Sequence, residues 1–282
     1  MERLIRKGYA QLRSKPFFAT DDVKIGINTT FGKNVQFNCK RVRIGDGVSF
    51  QDNITVNADS FEMGDYGTIY SNCFFPGPGQ LTIGHNFWLG VNCVIDSQGG
   101  TWIGNNVGIG AHSQLWTHMK FGDVMAGCRF HSTKKLTIED DAWLVGHCLV
   151  SPVTIKRRSL ALLGSVVVSD LQENHVYGGV PVVDLTDRLG PQFADTSISE
   201  RMQYMTERIE EFGTIYSVNN VDRYIKIVTD YQDGSYSGDT TVFNIKNRTY
   251  IKTGSDLEHR FIRFLLPSAK FVPVAIRNTT DR

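Results

Sequence analysis

The sequence has no long apolar run and almost no net charge. Its most apolar stretch, residues 160–168, is about half the ~18–20 residues that a membrane helix needs. The first sixteen residues are too charged for the core of a signal peptide. The 30 Lys and Arg residues balance 29 Asp and Glu residues, so no basic surface for nucleic acid is indicated. We therefore expect neither a membrane span nor a nucleic-acid partner.

Paired cysteines are also lacking. The chain has five cysteines, an odd number, and no C-x-x-C motif: Cys39, Cys73, Cys93, Cys128 and Cys148. A disulfide framework or a zinc ribbon requires paired spacing, so neither is supported. We expect no metal site and a cytoplasmic location, where thiols stay reduced.

What the sequence does contain is a six-residue repeat, in which an aliphatic residue is followed by a small one. Pairs such as Ile44-Gly45, Ile83-Gly84 and Ile103-Gly104 recur in register. Three hexads make one triangular coil, and the coil starts are spaced 19, 19, 20 and 20 residues apart: Ile25, Ile44, Met63, Ile83 and Ile103. No single coil can bury its apolar face, so coils must stack. The repeat predicts a mainly β protein, a left-handed parallel β-helix.

The repeat stops after His118 and resumes near Ile138, which predicts a loop extruded at 119–136. Long loops in compact domains are usually functional. We divide the chain into an N-terminal helix and cap at 1–20, the β-helix at 21–186, and a linker with a small α+β appendage at 187–282. In the appendage, capping boxes at Ser197–Glu200 and Ser255–Glu258 predict two helices, and 222–230 and 241–252 read as strands with a turn at Asn247-Arg248.

Three segments resemble the hexapeptide-repeat acyltransferases, in particular the O-acetyltransferases of maltose, galactosides and capsular sugars. Residues 92–96 with 103–107 resemble the penultimate coil, 115–118 the Thr-His catalytic segment, and 164–181 the closing coil. The resemblance covers about 83–185. It implies a homotrimeric enzyme with active sites between subunits, which takes acetyl-coenzyme A as donor and a small sugar or nucleotide-sugar as acceptor. The resemblance also implies a role in surface polysaccharide or sugar metabolism.

Acyl transfer from a thioester needs a general base that deprotonates the acceptor. His118, at the junction of coil and loop, matches the catalytic position, and imidazole titrates near neutral pH. Asp96 lies about one coil earlier, where it either binds a sugar hydroxyl or orients His118. We also expect three further residues near His118 to bind the acceptor: Gln98, Trp116 and His131.

Coenzyme A contacts are inferred from the resemblance. Trp143, Gly146 and Ser165 match positions that line the family's pantetheine groove. Two lysines that hold phosphates in the family are replaced here, at Val168-Ser169 and Val182-Val183. A basic corner offers the missing positive charge: Lys156, Arg157 and Arg158.

Three other functions remain open at this point. N-acetylation of a nucleotide-linked amino sugar uses the same base and donor. A non-catalytic β-helix scaffold would explain the replaced lysines. A zinc hydratase on this fold binds metal through three histidines, but the spacing of His112, His118 and His131 matches that pattern poorly.

Overall fold

The repeat folds into three parallel sheets that form the sides of a triangular prism. In the computed structural model, residues 14–231 and 238–274 are described. Of the N-terminal helix and cap expected at 1–20, residues 1–13 lie outside the described ranges. Two compact units divide at Phe193 and Ala194. The β-helix lies in the first unit, and each unit is treated by itself.

The sheets are named face 1, face 2 and face 3 in the order in which the chain visits them. Face 1 comprises Phe17–Phe18, Val35–Asn38, Ile54–Asn57, Phe74–Phe75, Val94–Ile95, Gln114–Leu115, Leu149–Val150 and Val166–Val167. Face 2 comprises Val23–Ile25, Arg41–Ile44, Ser60–Met63, Gln80–Ile83, Thr101–Ile103, Leu136–Ile138 and Thr154–Ile155. Face 3 comprises Thr30–Phe31, Ser49–Phe50, Thr68–Ile69, Trp88–Leu89, Gly108–Ile109, Trp143–Leu144, Leu160–Ala161, Val176–Gly178 and Val183–Asp184.

The strand register confirms the left-handed β-helix. On face 2 each coil start pairs with the next, in the column Ile25, Ile44, Met63, Ile83, Ile103, Ile138 and Ile155. The step from Ile103 to Ile138 spans the loop without breaking this column, because Thr101 pairs with Leu136. All members except the first are buried, so the column forms one side of the core.

The boundaries differ from those expected. Phe17–Phe18 pairs with the next face 1 strand, so the β-helix begins inside the segment 1–20. At the other end Val183–Asp184 folds back antiparallel on Val176–Gly178, and a short helix, Thr186–Leu189, follows. The first unit therefore extends to Phe193 instead of ending at 186.

Close approach between coils explains the small residue of each hexad. A methyl group at Gly45 would lie 2.3 Å from Asp65 Oδ1, and one at Gly104 would lie 2.3 Å from Asp140 Oδ1. These carboxylates accept hydrogen bonds from the corner amides of the coil before, as Asp140 does from the Asn105 N–H at 2.7 Å. Because these carboxylates occupy the space beside Gly45 and Gly104, neither glycine position has room for a side chain of its own.

The corner between faces 3 and 1 uses asparagine instead. Asn34, Asn53, Asn72 and Asn92 all have φ between 56° and 63°, the left-handed region that Asn tolerates. Their side-chain amides form a ladder along the prism, with N–O distances of 2.9, 3.0 and 3.2 Å. Each amide therefore ties its coil to the next.

The second unit contains a four-stranded sheet of Ile225–Val228, Thr241–Asn244, Thr249–Ile251 and Val272–Val274, with helices Ile198–Tyr216 and Asp256–Leu265 and a 3-10 turn at Val221–Arg223. Ser197 and Glu200 form the predicted capping box. At the second helix only Ser255 caps as predicted, because the buried Glu258 carboxylate accepts from Thr253 N–H at 2.6 Å. No helix in the described ranges is long and apolar enough to cross a membrane.

We expect Gly104→Ala to lower the free energy of unfolding by about 1–3 kcal/mol, since overpacking moves backbone or carboxylate. Gly108→Ala is the matched control on the same coil, because its methyl would first meet a side chain, Trp143 Cδ1 at 3.3 Å. Urea unfolding followed by tryptophan fluorescence checks both variants, as all four tryptophans lie on the β-helix. Equal losses in the two variants would contradict the close-approach argument.

Candidate active site

His118 lies where the chain leaves the prism, at the corner between faces 1 and 2. His118–Met119 pairs antiparallel with Ser132–Thr133, so the loop is a hairpin whose first residue is His118. Lys134 N–H donates to the Thr117 carbonyl at 2.9 Å, which closes the base of the hairpin. Leu136 is buried on face 2. The extruded segment is therefore 118–135, a correction to 119–136.

Stacking of coils brings Asp96 against His118. Asp96 N–H donates to the Leu115 carbonyl at 2.9 Å, which sets its coil directly against the next one. As a result the Asp96 Oδ2 atom lies 2.6 Å from His118 Nδ1, although the residues are 22 positions apart. Asp96 is fully buried, whereas the His118 side chain is 27% exposed. One end of the pair is thus inside the protein and the other faces solvent.

Both oxygens of the Asp96 carboxylate accept hydrogen bonds from protein groups. Oδ2 also accepts the Thr117 N–H at 2.8 Å and a very short hydrogen bond from the Thr117 hydroxyl, and Oδ1 accepts the Gln98 N–H at 3.0 Å. Burial raises the pKa of Asp96, but the hydrogen bonds from Thr117, Gln98 and His118 outweigh it and hold the pKa below its ordinary value. The carboxylate is therefore ionised at neutral pH.

An ionised carboxylate fixes the tautomer of the histidine. Because Asp96 Oδ2 can only accept, the Nδ1 atom of His118 carries the proton, an assignment made from the hydrogen-bond network. The Nε2 atom then has a free lone pair, and no described residue hydrogen-bonds to it. This is the geometry of a general base whose orientation is fixed by a carboxylate.

The three residues predicted to bind the acceptor differ in how they lie relative to His118 and Asp96. The Trp116 ring lies edge-on to the His118 ring at 6.2 Å, and its Nε1–H donates to Gln114 Oε1 at 3.3 Å, so the indole stands beside the base in a fixed orientation. Gln98 contributes its backbone amide to Asp96. His131 is exposed on the hairpin, two residues before Thr133, which pairs with His118.

The predicted cofactor residues occupy two further parts of the prism. Trp143 is exposed on face 3, and Gly146 lies at the corner between faces 3 and 1, with φ 149°. Ser165 follows one coil later at that corner, but it is fully buried and its hydroxyl donates to the Leu162 carbonyl at 2.6 Å. The Ser165 side chain therefore does not line an open groove.

The basic corner lies between faces 2 and 3, and its three side chains have neighbours. Lys156 Nζ donates to Gln172 Oε1 at 2.7 Å, and Arg157 forms an ion pair with Glu173 at 2.6 Å. That pair raises the pKa of Arg157. Arg158 stands over the Phe193 ring at 5.2 Å. On a single chain this corner is not the one that holds His118.

Sequence reasoning missed two polar groups. Thr117 is fully buried, donates its hydroxyl hydrogen to Asp96 and accepts the Gly99 N–H at 2.9 Å, so it positions the carboxylate. Its place in the sequence between Trp116 and His118 was the feature that could have indicated this role. A second pair, His175 with Asp184 at 2.6 Å, left no signal in the sequence. Both of its members are about two-fifths exposed, unlike Asp96.

The five cysteines are unpaired in the structure, and four of them are buried. Within 14–231 and 238–274, no group of three His, Cys, Asp or Glu side chains is arranged to hold a metal ion. His112 instead stacks on His147, with ring centroids 4.8 Å apart.

Comparison with known proteins gives structural likeness at low identity. AntD, an N-acyltransferase from Bacillus cereus in complex with dTDP and 3-hydroxybutyryl-CoA, is 14% identical, with a TM-score of 0.40 over 76% of this chain and 97% of that one. A hexapeptide-repeat acetyltransferase from Vibrio cholerae O1 biovar eltor, complexed with acetyl-coenzyme A, is 18% identical, with a TM-score of 0.30 over 66% and 76%.

A maltose O-acetyltransferase from Clostridium difficile 630 is 22% identical, with a TM-score of 0.32 over 52% of this chain and 68% of that chain. No protein-family profile matches the sequence. The strand register decides the fold by itself. The chain is a hexapeptide-repeat β-helix.

We expect Asp96→Asn to lower the free energy of unfolding by about 1–3 kcal/mol at pH 7, because an amide leaves buried donors without a charged acceptor. The Asp96 pKa is depressed in the folded state, so its stabilisation is present above the unfolded pKa and is lost as pH falls through the folded one. Urea titrations at pH 7 and near pH 3 test this, and the gap between wild type and variant should narrow in acid. A gap independent of pH would show that the charge of Asp96 is not what stabilises the corner.

Proposed function

We propose that this protein is an acyltransferase that moves an acetyl group from acetyl-coenzyme A to a hydroxyl group of a saccharide. The observation that carries the proposal is the 2.6 Å contact of His118 Nδ1 with the buried Asp96 carboxylate, which leaves Nε2 facing outward at a partly exposed corner. The resemblance of the sequence around His118 to the sugar O-acetyltransferases supports the same reaction.

In the proposed reaction, His118 Nε2 takes the proton of the acceptor hydroxyl as its oxygen attacks the thioester carbonyl. A C–O bond forms, the C–S bond then breaks, and the imidazolium returns the proton to the thiolate sulfur. Asp96 stabilises the imidazolium in between, because it is ionised and bonded to Nδ1. No covalent enzyme intermediate is needed.

A sugar acceptor suits the surroundings of the base. The Trp116 indole stands edge-on to the His118 ring, and Gln114 holds its N–H. An aromatic ring held in this way offers an apolar face to the C–H face of a pyranose while the hydroxyls stay solvated. We assign acceptor positioning to Trp116, with His131 of the hairpin as a further contact.

A nucleotide-linked amino sugar is the second candidate acceptor. The hairpin beside His118 carries four exposed cations, Lys120, Arg129, Lys134 and Lys135, against one acid, Asp123. Cations near the site suit the phosphates of a nucleotide sugar. N-acylation would use the same base, so an acceptor screen with free and nucleotide-linked sugars separates the two reactions.

We propose a homotrimer with the site completed by a neighbouring subunit. The hairpin exposes Phe121, Met125 and Phe130, the first two completely. Apolar side chains grouped in this way normally meet a partner surface. A second subunit would also bring one of its own corners close to His118. This arrangement would explain why Trp143, Gly146 and the basic corner lie on other parts of the prism than His118 within a single chain. The reduced thiols suit a cytoplasmic reaction.

His118→Ala should lower kcat about 10²–10⁴-fold while preserving fold and sedimentation mass, which we expect to be that of a trimer. Asp96→Asn should also lower kcat, with a smaller change in the affinity for acetyl-coenzyme A. The matched control is His175→Ala, which breaks a His–Asp contact of the same length on the last coil and should retain activity. Acetyl transfer to a sugar panel measures all three, and calorimetry measures donor binding.

Full activity in His118→Ala would reject the mechanism. If the wild-type protein does not bind acetyl-coenzyme A at millimolar concentration, the scaffold function replaces the enzyme.

Changing Lys156, Arg157 and Arg158 together to Ala should weaken binding of coenzyme A more than binding of its analogue without the 3′-phosphate. Their partners Gln172 and Glu173 do not prevent a phosphate contact, because solvent screens exposed interactions of this kind and leaves them weak. Calorimetric titration with both ligands tests the assignment. Equal losses for the two ligands would show that this corner does not bind that phosphate.

A further inference from the structure

The hydroxyl of Thr117 has a fixed direction inside the protein. Thr117 is fully buried, and its Oγ1 atom accepts the Gly99 N–H at 2.9 Å. A hydroxyl has a single proton to donate, and this one is directed to Asp96 Oδ2 in a very short hydrogen bond. The backbone of Thr117 is held as well, because its carbonyl accepts the Lys134 N–H at the base of the hairpin. The hydroxyl therefore acts on Asp96.

The two oxygens of the Asp96 carboxylate are used unequally. Oδ2 accepts three hydrogen bonds, from the Thr117 N–H at 2.8 Å, from the Thr117 hydroxyl and from His118 Nδ1 at 2.6 Å. Oδ1 accepts the Gln98 N–H at 3.0 Å. The hydroxyl and the imidazole thus share one oxygen. Because each donor to a carboxylate stabilises its charge, the hydroxyl weakens the attraction of Oδ2 for the Nδ1 proton.

A second group of the same three residue types, on the last coil, is arranged differently. His175 Nδ1 lies 2.6 Å from Asp184 Oδ2. The Thr186 hydroxyl and N–H both donate to the other oxygen, Oδ1, at 2.5 and 2.9 Å. In both groups a threonine gives its hydroxyl and its amide to one carboxylate oxygen. Of the two, only the group at Asp96 uses the oxygen that also binds the histidine.

We propose that Thr117 is a positioning residue whose hydroxyl sets how strongly Asp96 holds the His118 imidazolium. This inference rests on the proposed function, in which His118 takes a proton from the acceptor and returns it to the thiolate. A carboxylate that held the imidazolium too firmly would keep the base protonated and idle. With the hydroxyl as a further donor on Oδ2, Asp96 orients the imidazole without that penalty.

The other titratable groups near His118 are the same with and without this hydroxyl. The adjoining coil, which binds the Trp116 N–H through the Val150 carbonyl, continues as Ser151 and Pro152, and neither side chain titrates. The hairpin strands that contain and pair with His118 are flanked by exposed groups: Lys120, His131, Lys134 and Lys135. Since a substitution at Thr117 leaves all of these in place, a change in pH dependence reports on the hydroxyl.

Thr117→Val removes the hydroxyl and keeps the branched side chain and the backbone N–H. We expect the acid limb of the kcat/KM profile to move to higher pH by about half a unit or more, because Oδ2 then attracts the imidazolium more strongly. Activity should fall about threefold or more below the limb and recover in alkaline buffer. Thr117→Ser should restore the wild-type profile. Thr186→Val, which removes the hydroxyl beside Asp184, is the matched control and should leave the profile unchanged.

NMR separates this inference from the proposed function, because it requires no substrate. The ring signal of His118, identified by its loss in His118→Ala, should titrate at higher pH in Thr117→Val than in wild type. That shift in a protein that transfers no acetyl group would support the role of Thr117 and reject the enzyme. An unchanged titration, or an activity loss that is equal at every pH, would overturn the role of Thr117.

The wild-type protein gives a test that remains if Thr117→Val fails to fold. Two protons donated to the same oxygen lie close together, so the Thr117 hydroxyl proton and the His118 Nδ1 proton should show a strong nuclear Overhauser effect. Both protons are held in hydrogen bonds at a buried carboxylate, which slows their exchange with water. Absence of this effect between two observed signals would show that the hydroxyl and the imidazole do not share Oδ2.

Discussion

The spacing between adjacent coils is the constraint on which the rest of the β-helix depends. Parallel strands must lie about 4.8 Å apart to keep their backbone hydrogen bonds, and this holds at corners as well as along faces. A corner therefore tolerates only what fits within that spacing. Gly45 and Gly104 leave room at their corners for the carboxylates of Asp65 and Asp140 from the next coil, and the ladder from Asn34 to Asn92 fills the other corner with amides that bond along the prism. The functional corner obeys the same spacing, because it is what places Asp96 within reach of His118.

Burial distinguishes the two His–Asp pairs, which share a 2.6 Å contact. Asp96 has lost all contact with water, and its desolvation is offset by hydrogen bonds from Thr117, Gln98 and His118. Asp184 is half-exposed and is held mainly by Thr186, beside a helix start, where it links the last strands of the prism. A buried, ionised and fully hydrogen-bonded carboxylate fixes both the orientation and the tautomer of its histidine. This is why the proposed chemistry rests on Asp96 and His118, and why Asp184 and His175 serve as their control.

The prism has three corners, and this geometry bears on the proposed oligomer. His118 lies between faces 1 and 2, Gly146 between faces 3 and 1, and Lys156–Arg158 between faces 2 and 3. A ligand held against one corner of a single chain does not meet all of these residues. Copies of the chain packed side by side would bring different corners together around one cleft. The uncovered Phe121 and Met125 of the hairpin favour such a neighbour.

The sequence by itself determined the fold, because a period of six with an aliphatic and a small residue is local, and stacking is its only means of burial. It also placed the loop to within a residue at each end, and it singled out His118 and Asp96, since a constant coil length converts sequence distance into position. What only the tertiary structure decided is which atoms meet. The carboxylate could have faced a sugar or the imidazole; the coil spacing and the Thr117 hydroxyl direct it to Nδ1. Ser165 matched a groove position yet points inward to the Leu162 carbonyl, and Glu258 had the spacing of a capping box yet binds the Thr253 amide. Such choices depend on neighbours that are distant in sequence, and one residue pattern is compatible with several of them until the chain is folded.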